Sequence, residues 1–277
     1  MDTDDCAVTK NFSEGTCFSL NDLIALSVAY SKEFPDNKIK LSAKLDTLNP
    51  QKYKLYLVKE LEKRLSTICD NQQCWLKQKF IKHMDKARQY ELKKLTFKPD
   101  GPKGYDEWLS NFDIEATMKQ YEKKYPDFKF LGAVPLDFDE FTEFGTKHLN
   151  LNDLFKSGIK KYGLVVNLDK SHQSGSHWVS VYADLSKGQI YYYDSYGSRP
   201  EQDTRKFLRK LQKICDKHNI QTEVSHNKFR HQYGDGACGL YSMAFILNLL
   251  KGTQFDEYVK QNITDKEMND CREVYFL

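Results

Sequence analysis

No stretch of this chain is apolar for long enough to cross a bilayer: the longest such run, around Met243 to Leu250, is far short of the ~20 residues a spanning helix needs. No membrane partner is expected. The first residues, Met1-Asp-Thr-Asp-Asp-Cys, are acidic where a secretory signal is basic and then apolar, so an intracellular protein is expected. Net charge is scarce as well. A formal +3 over 277 residues does not by itself point to nucleic acid. The basic clusters Lys79 to Arg88 and Lys93-Lys94 read chiefly as solvated helix faces, with weak nucleic-acid contact as the alternative. Cysteine spacing carries no pattern. Cys6, Cys17, Cys69, Cys74, Cys215, Cys238 and Cys271 form an odd, scattered set, without the paired spacing of a disulfide scaffold or a zinc site. Reduced thiols and no bound metal are the expectation.

Glycine is absent from about Asn21 to Leu95. That segment carries apolar residues at helical spacing with Lys and Glu between them, as in Lys52 to Leu65. A bundle of helices is expected there, interrupted at Pro35 and restarted at Asn49-Pro50. Lys98-Pro-Asp-Gly-Pro-Lys-Gly104 is the clearest linker, and it separates an N-terminal helical arm domain, 1–100, from a second domain, 101–277. With 40% apolar and 29% charged residues the chain can bury a full core. Beyond the linker, Ile114 to Tyr125 reads as helix, Phe130 to Val134 as extended and Leu151 to Ser157 as a short helix. Gly163 to Leu168, Trp178 to Asp184 and Gln189 to Asp194 are short and rich in β-branched and aromatic residues, and turn residues bound them. Three neighbouring strands of one sheet follow. Thr204 to His218 is amphipathic, Gln221 to Ser225 reads as a further strand, and Cys238 opens an apolar helix that stops at Gly252. The fold class is α+β: a central mixed sheet flanked by helices, a nucleophile at a helix N-terminus, and an N-terminal helical domain.

Cysteine-based acyl transfer needs a nucleophile, a base, a group that orients the base and a donor for the oxyanion. Each role has one candidate. Cys238 lies between Gly236-Ala237 and Gly239 at the start of the apolar helix, where an anion is favoured and small neighbours admit a substrate backbone. His177 sits where Ser-Gly-Ser passes into a strand, and Asp194 closes the next strand, so a hairpin through Leu185 to Gly188 brings carboxylate and imidazole together. Asp184 is at the wrong end of that hairpin. Gln232, six residues before Cys238, can fold back so that its amide and the Cys238 backbone N–H address one oxygen. Trp178 can narrow the site over a small residue, with a core position as the equal alternative. His231 is a rival base without a strand-end carboxylate to orient it.

Together, His177-Trp178, a strand ending in Asp194-Ser195, and Gln232-x5-Cys238-Gly239 opening a helix resemble the superfamily of SUMO-specific and adenovirus-type cysteine proteases. The resemblance covers about Gly163 to Leu250. Asn111-Phe-Asp-Ile-Glu-Ala-Thr, Asn167 upstream of His177-Trp178 and the helical N-terminal extension are similar to the polyprotein-processing branch of the African swine fever virus type. This implies a protease cleaving after Gly-Gly in viral structural polyproteins. It would be a monomer, without cofactor, acting in host cytoplasm at viral factories and in the virion. It also implies that His177, Asp194 and Cys238 form a triad, that Gln232 is the oxyanion donor, and that Asn167 and Trp178 line the substrate site. Two positions depart from the pattern. Ala237 stands where SUMO proteases usually carry Asp, and Asp194 where the swine fever type carries Asn. The rival readings are a SUMO or ubiquitin deconjugase, an acetyltransferase on the same site, and a catalytically silent module binding peptide or DNA.

Overall fold

A computed structural model describes residues 5–42, 49–140 and 150–277. The chain forms two compact units, Met1–Pro99 with Leu277, and Asp100–Phe276.

The first unit is helical: α1 (Leu20–Glu33), α2 (Pro50–Leu65), α3 (Gln72–Trp75) and α4 (Lys86–Leu95). Local chemistry sets the helix starts. The Ser19 hydroxyl accepts from the Asp22 N–H while the Asp22 carboxylate accepts from the Ser19 N–H, a reciprocal cap on α1. Asn49 caps α2 through the N–H groups of Gln51 and Lys52, and Pro50 occupies the first helical position, where its missing N–H is no loss. Leu23, Leu26, Leu57, Leu61, Phe80 and Leu92 are fully buried together. The basic stretch Lys79 to Arg88 serves this fold: Lys82 and His83 share Glu33, and Arg88 reaches the buried Asp22.

The expectation of reduced thiols fails in this unit. Cys6–Cys17 and Cys69–Cys74 are disulfides, with Cα atoms 5.3 and 5.4 Å apart, while Cys215, Cys238 and Cys271 are free. Proximity rather than spacing makes these pairs. Cys6 is held by a backbone bridge to Phe97, and Cys17 lies in the core.

The second unit contains α5 (Asn111–Lys124), β1 (Phe128–Pro135), α6 (Leu151–Lys156), β2 (Lys161–Asn167), β3 (Trp178–Asp184), β4 (Gln189–Tyr193), α7 (Gln202–Lys217), β5 (Glu223–His226), α8 (Cys238–Leu250), α9 (Phe255–Tyr258), α10 (Asp265–Asp270) and α11 (Arg272–Tyr275). Its five strands lie in the order β1-β2-β3-β4-β5. β1 is parallel to β2, β3 is antiparallel to both its neighbours, and β5 is parallel to β4. The mixed α+β sheet is as expected, and β2, β3 and β4 are the three adjacent strands. Every residue of β3 is buried, so both sheet faces are covered. Val179, Val181, Ala183 and Tyr192 pack with Phe207, Leu208 and Leu211 of α7 on one face. The alternate residues look the other way: Tyr193 stacks on Phe245 of α8 at 4.7 Å, and Gly163 leaves room for Ile246. Period-two alternation thus assigns one helix to each face.

Candidate active site

Strand register decides where the polar residues emerge. Asn167 of β2 pairs with Trp178 of β3, and Ser180 of β3 pairs with Tyr193 of β4. His177, just before β3, and Asp194, just after β4, therefore leave the sheet at the same end. His177 Nε2 is 2.7 Å from Asp194 Oδ1. The Cys238 side chain, at the first position of α8 and 3% exposed, lies near enough to the same imidazole to raise its pKa. With Nε2 on Asp194, Nδ1 is the ring atom left for sulfur.

Burial works against the imidazolium, but the hydrogen bonds and charges of Asp194 and Cys238 outweigh it and lift the His177 pKa to about 9. Burial likewise opposes the Asp194 carboxylate. Bonds from His177, the Tyr196 N–H and Ser198, with the His177 charge, hold it below the ordinary value. Three further groups fix this pair. Asn227 accepts from the Asp194 N–H at 2.9 Å and donates to the Asp194 carbonyl at 2.6 Å. The Tyr196 ring stacks on the imidazole with centroids 4.3 Å apart and 5° between planes. The Tyr196 N–H also donates to Asp194 Oδ1 at 2.9 Å.

Gln232 is 1% exposed and pinned by its backbone and side chain alike. Its N–H donates to the Ser195 carbonyl at 3.0 Å, its Oε1 accepts from the Ser195 hydroxyl at 2.7 Å, and its Nε2 donates to the Gly234 carbonyl at 2.8 Å. An amide nitrogen carries two hydrogens, so one remains for a further acceptor. Asp265, at the start of α10, accepts from the N–H groups of Tyr233 and Gly234 at 2.9 and 2.7 Å and from the Tyr241 hydroxyl at 3.0 Å. The loop between Gln232 and Cys238 is thereby tied to α8 and α10.

Glycine flanks Cys238 for a steric reason. Gly236 has φ +84°, and a Cβ there would lie 1.9 Å from the Asp106 carbonyl oxygen. A Cβ on Gly239 would press on Leu109 at 3.1 Å. The segment Asp106 to Leu109 can lie against the helix start because both side chains are missing. Trp178 Nε1 donates to the Leu109 carbonyl at 2.9 Å, and Arg272 donates to the carbonyls of Pro102 and Glu107. Beside Trp178 opens a groove of about 470 Å³, lined among others by Trp108, Leu109, Asn111, Asn167 and Lys170. Asn167 faces it and accepts from the N–H groups of Asp169 and Ser176 at 3.0 and 3.1 Å, which shapes the loop leading to His177.

The rivals lie elsewhere. Asp184 sits at the far end of β3, bonded to Ser186. Both nitrogens of His231 are occupied, Nε2 donating to the Val259 carbonyl and Nδ1 accepting from the Tyr193 hydroxyl. Burial pushes its pKa down, against a smaller opposite effect of the Val259 bond. Asn227, Tyr196 and Asp265 were missed in the sequence, where each is an ordinary loop or helix-end polar residue without a motif.

The chain is similar to known proteases. Residues 165–277 match the family model described as the Ulp1 protease family, C-terminal catalytic domain. A thiol protease of Acanthamoeba polyphaga mimivirus is 32% identical over 268 residues, covering 94% of this chain and 89% of that protein. The SUMO-1 cysteine protease of African swine fever virus is 24% identical over 246 residues, covering 82% of this chain and 90% of its own length. A crystal structure of the African swine fever virus protease shares the fold, with a TM-score of 0.67 at 20% identity, covering 100% of this chain and 96% of that one.

Proposed function

Since the chain belongs to the Ulp1 protease family and is a cysteine protease, we propose that it is an endopeptidase cleaving after Gly-Gly in viral structural polyproteins during virion maturation. The observation that carries the site assignment is the buried 2.7 Å bond between His177 and Asp194, with Cys238 at the start of α8 on the same imidazole. His177 takes the thiol proton, and the Cys238 sulfur attacks the glycyl carbonyl carbon. The C=O electron pair moves onto oxygen, where the free N–H of Gln232 and the Cys238 backbone N–H receive it. Collapse breaks the C–N bond, and His177 protonates the departing amine. Water, deprotonated by His177, then hydrolyses the thioester and restores the thiol. Asp194 keeps the ring oriented and charged through the first half of this cycle. No cofactor enters this balance.

The groove beside Trp178 and Asn167 supports an extended acyl-side peptide whose last residues are small, since the Trp178 ring stands next to the base. The chain acts as a monomer in infected-cell cytoplasm and in the virion. Incubating the wild type and Cys238→Ala with a Gly-Gly-X peptide library, with cut sites read by mass spectrometry, tests the proposal. Cleavage after Gly-Gly that vanishes in the variant is expected; a Cys238→Ala protein that still cuts would sink the mechanism. A second reading, removal of SUMO from conjugates, rests on the likeness to the SUMO-1 cysteine protease of African swine fever virus. Reaction of Cys238 with a SUMO vinyl-sulfone probe, and none with peptides, would favour it.

A further inference from the structure

β4 and β5 run parallel and end side by side, their last pair being Tyr192 and His226. The segments that follow them are packed backbone to backbone. A Cβ on Gly197 would lie 3.0 Å from the carbonyl oxygens of Lys228 and Phe229, Asn227 bonds the Asp194 backbone and the Phe229 carbonyl, and the N–H groups of His231 and Gln232 donate to Ser195. Arg199, Lys228 and Arg230 are all exposed on this double turn. They are close enough that, after burial, the charges of Arg199 and Lys228 lower the pKa of His226. No carboxylate of the described residues pairs with any of the three, whereas Lys82, Arg88 and Lys210 elsewhere each have one.

One member of this cluster, Arg230, reaches the catalytic pair through Tyr196. The Arg230 guanidinium lies 4.8 Å from the centroid of the Tyr196 ring and 5.0 Å from that of Tyr233, and its Nε donates to the Gln232 carbonyl at 2.6 Å. The imidazole of His177 is stacked flat on Tyr196 at 4.3 Å, so ring and cation occupy opposite faces. Phe229 and Tyr233, 60% and 74% exposed, flank the charges.

Sheet order gives the cluster a direction. The 470 Å³ groove sits over the ends of β1, β2 and β3, His177 and Asp194 emerge between β3 and β4, and the three cations lie beyond β4 and β5. A peptide whose acyl side fills the groove must leave across the cations. Resting on the protease reading above, we infer that Arg199, Lys228 and Arg230 form a leaving-side subsite that selects substrates with acidic residues just C-terminal to the scissile bond. Each exposed pair is worth about threefold in kcat/KM, and a run of two or three acids about tenfold at low salt. The effect shrinks as ionic strength approaches ~0.15 M and the field is screened.

The test compares Gly-Gly-X peptides that are identical on the acyl side and carry Asp/Glu, Ser/Ala or Lys after the bond. The quantity read is the acidic-to-neutral ratio of kcat/KM within each enzyme, so a general loss of activity cancels. The wild type is expected to show a ratio of about ten at low salt that falls with added NaCl, and Lys228→Glu/Arg199→Glu is expected to invert the preference towards Lys peptides. A wild-type ratio near one, with Cys238-dependent cleavage intact, overturns the subsite while leaving the protease reading standing. Absence of any Cys238-dependent cleavage overturns both. If a single-stranded oligonucleotide binds the wild type, loses affinity in the double variant, and the peptide ratio stays near one, the patch is a nucleic-acid surface and the inference is wrong.

Discussion

Replacing Asp194 by Asn removes one charge from the buried end of the proposed triad and keeps its shape. His177 stands at about 9, against the ordinary 6.5, although burial alone pulls the other way. At about 1.4 kcal/mol per pH unit, Asp194 and Cys238 together hold the imidazolium by a net of about 3 kcal/mol. Water screens little of this, since the His177 and Asp194 side chains are 9% and 1% exposed. If Asp194 supplies only half, its loss lowers the His177 pKa by about one pH unit. The imidazole and the Tyr196 N–H both meet the same oxygen, Asp194 Oδ1, so the Asn oxygen can keep both bonds and the substitution isolates the charge. The assay is the pH dependence of kcat/KM on a Gly-Gly peptide, with the His177 ring protons followed by NMR. The wild type is expected to keep its proton donor for the leaving amine up to about pH 9. In Asp194→Asn the basic limb moves down by at least about one pH unit and kcat drops about 10²-fold, with a smaller change in KM. An unmoved limb together with near-full kcat would refute the argument.

Stability should follow the same groups. The raised His177 pKa gives a contribution that is whole below pH 6.5 and lost as pH rises through about 9, and the depressed Asp194 pKa gives one that is present at neutral pH and lost on acidification. Denaturant midpoints of the wild type should thus fall more between pH 6.5 and 9.5 than those of His177→Gln; parallel curves would remove the linkage. Asp265→Ala frees two loop N–H groups and removes the nearest of the three acceptors around the Tyr241 hydroxyl. It should cut kcat and the affinity for a peptide aldehyde about tenfold, while iodoacetamide alkylation of Cys238 continues at nearly its normal rate; equal losses in all three would mean a merely structural role. Gly236→Ala forces a Cβ to 1.9 Å from a carbonyl oxygen at positive φ. A loss of about 2 kcal/mol or more is expected by calorimetry, and an unchanged melting point would show that Asp106 can yield. Trp178→Phe keeps the ring but loses the bond to Leu109, so KM should rise about threefold, with kcat retained.

What could be read without coordinates was local chemistry. The strands Trp178–Asp184 and Gln189–Tyr193 announce themselves by aromatic and β-branched content, and a short turn between them forces antiparallel pairing. That is enough to bring the residue before one strand next to the residue after the other. Helix starts at Asn49 and Cys238 were legible for the same reason. The parallel pairing of β1 with β2 was not, because it depends on a crossover and on Phe128 packing under Gly163. Asn227, Asp265 and Tyr196 act through neighbours 31 to 33 residues away or through a ring face. A polar residue in a loop does not disclose such partners. The disulfides escaped likewise, since neither Cys6-x10-Cys17 nor Cys69-x4-Cys74 forms a motif until the chain is folded.

The β3–β4 hairpin has a second end. Its turn exposes Ser186 and Lys187 at the opposite rim of the sheet, a full strand of seven residues, or roughly 23 Å, from where His177 and Asp194 emerge. A fluorophore, a surface tether or a short peptide handle placed there would ride on a rigid strand without entering the path of substrate. It would report on the cleft from a known distance, so a donor at Lys187 and an acceptor on the departing peptide could time product release turnover by turnover.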